Sequence, residues 1–231
     1  MIKKGLGFFI SACLGAALTF AFTSNQEEFP FPLLKRQSYS ALYDTRAKIP
    51  FWTTEHLTSD QLKKTADRTS IKFKEDEEIY PPHRSSLSDY THSGFDRGHM
   101  APASNASFSE KSLRETFLLS NVSPQDPSLN RGLWAQLERS IRLLADHVEW
   151  VRITTGPLFL STLAANGKRY VTYQVIGKNE VAVPTHFFKV IETPEKKWAY
   201  VVPNEPTTGR LSQYLVSIQA LEKISGLRLS R

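Results

Sequence analysis

The clearest periodic signal lies past the middle of the chain. Leu129, Leu133, Leu137, Ile141 and Leu144 recur at spacings of four, four, four and three, which places them on one face of a helix. Asp126 suits the cap of that helix and Pro127 its first turn, while Gly132 is a tolerated interruption. Asn130, Trp134 and Glu138 fall on a face offset from the leucines. Beyond Asp146 the period shortens toward two. Residues 150–154 predict a strand ended by Gly156-Pro157. Residues 170–176 and 181–191 predict two β-rich runs joined by the turn Gly177-Lys178-Asn179-Glu180, and residues 198–202 another short strand. Residues 217–225 predict a last helix closed by Gly226. Upstream, residues 37–43 and 51–57 predict strands, and residues 60–92 form a long polar stretch broken at Pro81-Pro82. In residues 93–105, SGFDRGHMAPASN, Gly94, Gly98 and Pro102 predict no regular element. Several antiparallel-type strands, few helices and no internal repeat point to an α+β fold.

The N-terminus reads differently. Lys3 and Lys4 precede an apolar run from Gly5 to Phe22, and the polar residues 25–28 and Phe29-Pro30-Phe31-Pro32 follow. This pattern predicts a signal peptide or a single membrane anchor. Ile10-Ser11-Ala12-Cys13 is similar to a lipoprotein box, but the apolar run continues past Cys13. The expected organisation is a hydrophobic segment over residues 1–24, in contact with a membrane or with export or import machinery. A linker over residues 25–36 and one folded domain over residues 37–229 complete it.

With 231 residues, 40% apolar and 11% aromatic, the chain has ample material for a core, which excludes disordered and collagen-like classes. One cysteine excludes an intrachain disulfide framework and any cysteine-cluster zinc site. The net charge of +6 is compatible with an anionic partner. Residues 1–22 contain two lysines and no acid, so the remainder carries +4.

Two groups of residues suggest chemistry. Asp96-Arg97-Gly98-His99 places a neutral-pH base beside a guanidinium able to hold a phosphate. Asn121, Gln125, Asn130 and Glu138 form the second group; Asn130 and Glu138, eight apart, share a helix face. One amide oxygen plus waters held by a carboxylate would make a sparse Mg²⁺ site. Each feature alone is also met in ordinary surface residues. Together with the spare arginines Arg68 and Arg97, they match the needs of phosphodiester hydrolysis.

The same residues carry a resemblance. Ser93 to Asn105 resembles the signature of the DNA/RNA non-specific ββα-metal endonucleases, and within them the mitochondrial endonuclease G group. The similarity extends through Leu119 to Gln125, Leu129 to Glu138, Thr155 to Phe159, Tyr173 to Asn179, Val183 to Val190 and Leu221 to Leu227. It implies a ββα-metal nuclease fold with a central antiparallel sheet flanked by helices, in an enzyme that cleaves DNA and RNA to 5′-phosphate ends. His99 then matches the general base, Asn130 the direct ligand to Mg²⁺ (with Mn²⁺ as a substitute), and Glu138 the carboxylate that holds the metal through water. Arg68 matches the arginine near the scissile phosphate, Asn121 a supporting active-site asparagine, and Arg97 a second phosphate or structural contact. Asp96 is expected to organise the loop. With His99 as base, activity is expected to fall in mild acid. The resemblance also implies a homodimer and a mitochondrial location, anchored to the inner membrane or in the intermembrane space. The N-terminal arm is shorter and less basic than in many mitochondrial members, which leaves export, to a periplasm or outside the cell, as the alternative. A catalytically inactive nucleic-acid-binding protein of the same fold is the alternative function.

Overall fold

The computed structural model describes residues 31–229; the hydrophobic segment expected over residues 1–24 lies outside them. Among the described residues, no helix is long and apolar enough to cross a membrane. The centre is an antiparallel sheet of seven strands. Its first three are β1 (Leu33–Lys35), β2 (Tyr39–Asp44) and β3 (Ile49–Leu57). A ribbon of β4 (Asp96–His99) and β5 (Val122–Gln125) stands apart from it, with helix α1 (Glu110–Thr116) in the connection. Helix α2 (Ala135–Ala145) then leads to β6 (Val151–Leu158), β7 (His186–Glu192), β8 (Lys197–Pro203) and β9 (Leu215–Val216). Helix α3 (Ile218–Ser225) closes the chain. The sheet order is β1-β2-β3-β6-β7-β8-β9.

Both faces of this sheet are covered, because alternation sends successive side chains to opposite sides. Along β7, Phe187 and Ile191 join Leu129, Leu133, Trp134, Leu137, Ile141 and Ala145 of the helical segment in one buried cluster. Phe188 and Val190 face the other way and pack with Leu221 of α3. The expected cap is present: Asp126 accepts from the backbone N–H groups of Ser128 and Leu129 at 2.8 and 3.1 Å, with Pro127 in the first turn. Gly226 ends α3 in the left-handed conformation at φ 72°, also as expected.

Five expectations need correction. The strand expected to end by Gly156-Pro157 runs through both to Leu158, because β3 pairs with it only as far as Thr155 and the proline there owes no donor to that ladder. Leu33–Lys35, assigned to the linker, pair with β2, and Leu34 is buried. The tether therefore ends before β1. Residues 93–105 do contain a strand: β4 pairs with β5 through Gly98, whose missing side chain makes room for Gln125. The run over residues 170–176 forms only two-residue strands at its ends, Arg169–Tyr170 and Val175–Ile176, since Tyr170, Val171 and Tyr173 are exposed and have no face to bury. The run over residues 181–191 is split at Val183-Pro184-Thr185 into Val181–Ala182 and β7. The proline cannot donate to a ladder.

Candidate active site

β4, the residues that follow it and the helical segment from Asn130 into α2 frame a cleft of about 460 Å³. His99 and Arg97 alternate with Asp96 and Gly98 along β4, so the two pairs point to opposite faces of the ribbon. His99 sits in an aromatic clamp, 5.0 Å from the Phe73 ring and 5.0 Å from the Phe117 ring. The Arg97 guanidinium lies 5.0 Å from Phe73 and that of Arg68 5.6 Å from Phe117, so a cation flanks the clamp on each side. The clamp buries the imidazole and Arg68 repels a second positive charge; together they push the His99 pKa down to about 3. The ring is therefore neutral, the form a base requires, over the whole physiological range, and the loss of activity expected in mild acid moves to lower pH because burial and Arg68 oppose protonation.

Arg68 comes from the long polar stretch, which is fastened rather than loose. The backbone N–H groups of Thr65 and Ala66 donate to Ser107 O, and Lys74 exchanges hydrogen bonds with Phe117 and Leu119. Further along, Arg36 and Asp76 form a buried ion pair at 2.6 Å, which Ser120 joins through a hydrogen bond to Asp76. These anchors fix the stretch on both sides of Phe73.

Asn130 lies at the break in the long helical segment. Residues 127–129 form one helical turn, Asn130–Trp134 a π-turn, and Gly132 within it adopts φ −100°, ψ −107°. Gly132 is thus a kink and not merely a tolerated residue. The Asn130 amide donates through Nδ2 to Asp96 Oδ2 at 2.8 Å. A carboxylate only accepts, so this bond orients the amide and leaves Oδ1 for the cleft. Arg131 grips the same carboxylate through Nε and Nη2, at 2.8 and 2.5 Å. Burial raises the Asp96 pKa, but the hydrogen bonds from Arg131 and Asn130 win and hold it below the usual carboxylate range. Asp96 therefore fixes Asn130 itself, a more specific role than the loop-organising one expected.

Glu138 reaches the cleft from the first turn of α2. Burial raises its pKa, opposed by Lys189 and then by Arg142. The Trp134 indole N–H also favours the charged form, although it closes no hydrogen bond of ordinary length and angle.

Of the residues singled out from the sequence, Arg68, Arg97, His99, Asn130 and Glu138 all line this one cleft. Asn121 does not. It is fully buried, and its amide accepts from Ala101 N and donates to Ala101 O and Thr116 O, each at 2.9 Å. It clasps the backbone just after His99 and has no free polar atom for substrate. Gln125 is likewise buried, beneath Gly98. Sequence reasoning missed Arg131, Arg139 and Arg142, which also line the cleft. Arg142 follows Glu138 by four residues, a spacing that puts both on one helix face. The cleft thus gathers five arginines against Asp96 and Glu138. That concentration makes a local anion-binding site out of a modest overall charge.

Residues 21–231 match the family described as DNA/RNA non-specific endonuclease. The chain belongs to that family. It is 45% identical over 202 residues to human (Homo sapiens) mitochondrial endonuclease G, covering 84% of this chain and 68% of the relative. It is 46% identical over 204 residues to nuclease C1 of Cunninghamella echinulata var. echinulata, covering 84% of this chain and 81% of the relative. A crystal structure of endonuclease G in complex with the inhibitor EndoGI superposes with a TM-score of 0.83 at 40% identity, covering 87% of each chain. As a non-specific endonuclease of the endonuclease G-like group, the chain is a nuclease, and β4, β5 and the kinked helix are its ββα element.

Among the described residues, no three His, Cys, Asp or Glu side chains gather as a metal cluster. The donors that do share the cleft, an oriented amide oxygen on Asn130 and the Glu138 carboxylate, suit a hard, largely hydrated cation.

Proposed function

We propose that the enzyme is a Mg²⁺-dependent, sugar-non-specific endonuclease that hydrolyses DNA and RNA to 5′-phosphate ends, with Mn²⁺ able to substitute. The observation that carries this reading is the convergence of His99, Arg68, Asn130 and Glu138 on one arginine-lined cleft. Neutral His99 takes a proton from the attacking water, which adds to phosphorus opposite the 3′ oxygen that leaves. The 3′ oxygen leaves with the P–O bond pair and takes up a proton from water, and the 5′ oxygen keeps the phosphate. Arg68 and Arg97, held by their aromatic contacts, offset the charge that builds on the phosphoryl oxygens. Asn130 Oδ1 would hold the cation directly and Glu138 through water. When bound, the cation supplies charge screening at the scissile phosphate and at the leaving oxygen. Asn121 keeps the backbone beside His99 in register.

The cleft offers guanidinium groups to a phosphate backbone, which positions a strand without reading its sequence. The name of the human relative supports a mitochondrial location. Inner-membrane anchoring or residence in the intermembrane space, a folded unit spanning residues 37–229 together with β1, and a homodimer belong to the same proposal. Residues 1–24 would address or anchor the chain. Incubation of plasmid DNA and of RNA with the full chain, in Mg²⁺ or in EDTA, tests the reaction. Cleavage of both in Mg²⁺ alone, lost in His99→Ala, is the expected result. Binding without cleavage by the native chain in Mg²⁺ and Mn²⁺ would show a catalytically inactive binding protein instead.

A further inference from the structure

Behind the cleft, on the sheet side of α2, lies a charge that the reaction scheme does not use. Lys189 is fully buried at the middle of β7, between Phe187 and Ile191 on the face that packs against α2. Its Nζ donates to Thr155 Oγ1 at 2.6 Å and lies 4.8 Å from the centroid of the Trp134 ring. Glu138 and Glu55 are the carboxylates that stabilise its charge. Glu55 is buried too; its Oε1 accepts from Asn105 Nδ2 at 3.0 Å, and its Oε2 has no hydrogen-bond partner. Glu138 lines the cleft. Arg142 faces both carboxylates and donates to Asn105 Oδ1 at 3.4 Å.

A strand position between Phe187 and Ile191 would ordinarily hold an aliphatic side chain. Buried ion pairs seldom stabilise a fold more than well-packed apolar residues of similar volume. Glu55 and Glu138 both draw on this ammonium, and of the two only Glu138 lines the cleft. The Lys189 Nζ reaches the ring of Trp134, four residues and one helical turn before Glu138.

We infer that Lys189 is a positioning residue for Glu138, supplying from beneath the cleft the counter-charge that fixes this carboxylate in place to hold the divalent cation's water shell. Without Lys189, the carboxylate is left to Arg142 and Arg68, which line the cleft itself. The inference rests on the role given to Glu138 under the proposed function.

Mn²⁺ titration of the full chain without nucleic acid, followed by the electron paramagnetic resonance of free Mn²⁺, tests it. Lys189→Met is expected to weaken Mn²⁺ binding about tenfold or more, the usual range for a residue that orients a metal-holding group. In the Glu138→Gln background, the same change is expected to cost less than about twofold, because coupled residues do not add. A packing defect alone would weaken both backgrounds equally. Thr155→Val keeps the volume and removes the hydroxyl that holds Nζ. It is expected to weaken Mn²⁺ binding about threefold with unchanged circular dichroism, and it decides the matter if Lys189→Met does not fold. Native or tighter Mn²⁺ binding in Lys189→Met, or native binding in Thr155→Val, with Glu138→Gln impaired, would overturn the role of Lys189 alone. Native binding in Glu138→Gln would overturn the role of Glu138 and this inference with it.

Discussion

Replacing Asp96 with Ala separates two contacts that share one carboxylate. The bond from Asn130 Nδ2, at 2.8 Å, orients the amide whose oxygen faces the cleft. The second contact is the bidentate grip of Arg131, whose side chain is 72% exposed. Solvent screens an exposed ion pair and leaves it little net effect, whereas a partly buried hydrogen bond to a charged group contributes about 1.5–3 kcal/mol. The Asn130 contact therefore dominates. Its loss frees the amide to turn its nitrogen toward the cation, which corresponds to about a ten- to hundredfold loss of metal affinity. The apparent Mg²⁺ constant, read from plasmid cleavage across a Mg²⁺ series, should rise by that factor in Asp96→Ala, and much of the rate should return at high Mg²⁺. Arg131→Ala should shift the Mg²⁺ constant by less than about fivefold. Equal shifts in the two variants would refute the claim that Asp96 acts through Asn130, and an unchanged Mg²⁺ constant in Asp96→Ala would remove Asp96 from the site altogether.

His99→Ala should abolish cleavage while leaving DNA binding in EDTA within a few-fold of native, as a gel-shift assay can show. Because the His99 pKa is lowered to about 3, the acid limb of kcat/KM should lie well below pH 5, lower than an unperturbed imidazole would place it; a limb centred near 6.5 would contradict the buried clamp. The same shift has a stability consequence of fixed sign. The folded state keeps His99 neutral while the unfolded chain binds a proton from about pH 6.5. The stabilisation is thus complete above that value and is lost as pH falls toward 3, which urea titrations across the window can measure. Gly98→Ala would set a Cβ 2.3 Å from Gln125 Oε1 and 2.6 Å from its Cβ, and overpacking of this kind typically costs about 1–3 kcal/mol or more. The melting temperature should fall by several degrees and nuclease activity with it. Leu137→Ala, at a fully buried position facing the sheet, should cost about 2–5 kcal/mol in denaturant unfolding while leaving the Mg²⁺ constant unchanged.

Much of this architecture was legible because long periodic signals outweigh local detail. The leucines from Leu129 onward announced the helix that covers the sheet, and Asp126-Pro127 announced its start. The kink at Gly132 was not legible, since a glycine states freedom and not which conformation is taken. β4 was obscured by Gly98, which looks like a strand breaker but is required by the approach of Gln125. The run over residues 170–176 misleads because β-propensity carries little weight where Tyr170, Val171 and Tyr173 stay half exposed. Within the site, His99, Asn130 and Glu138 carried local sequence signals. Asn121 carried one as well, but a sequence cannot tell an amide that faces a cleft from one spent on backbone at Ala101 and Thr116. Arg142 could have been found from its spacing to Glu138. Lys189 was visible as a lone charge in the apolar run His186-Phe187-Phe188-Lys189-Val190-Ile191. Its meaning depends on what faces it from α2 and β3.

That dependence shows how one helix serves two ends. Leu137, Ile141 and Ala145 of α2 meet Val151, Ile153, Phe187 and Ile191 in a continuous apolar cluster. On the same sheet face, Thr53 pairs across to Thr155 and Thr155 to Lys189, with Glu55 two residues along β3. All four are buried, and the Thr53 hydroxyl has no hydrogen-bond partner. A polar row of this kind opposes folding, because each group gives up water for incomplete compensation. It is tolerated where the apolar cluster beside it supplies the stability. Leu137 and Glu138 are adjacent in sequence yet belong to the two different halves. Substitutions at Leu137 should therefore act on unfolding and leave metal affinity alone, and those at Glu138 should do the reverse.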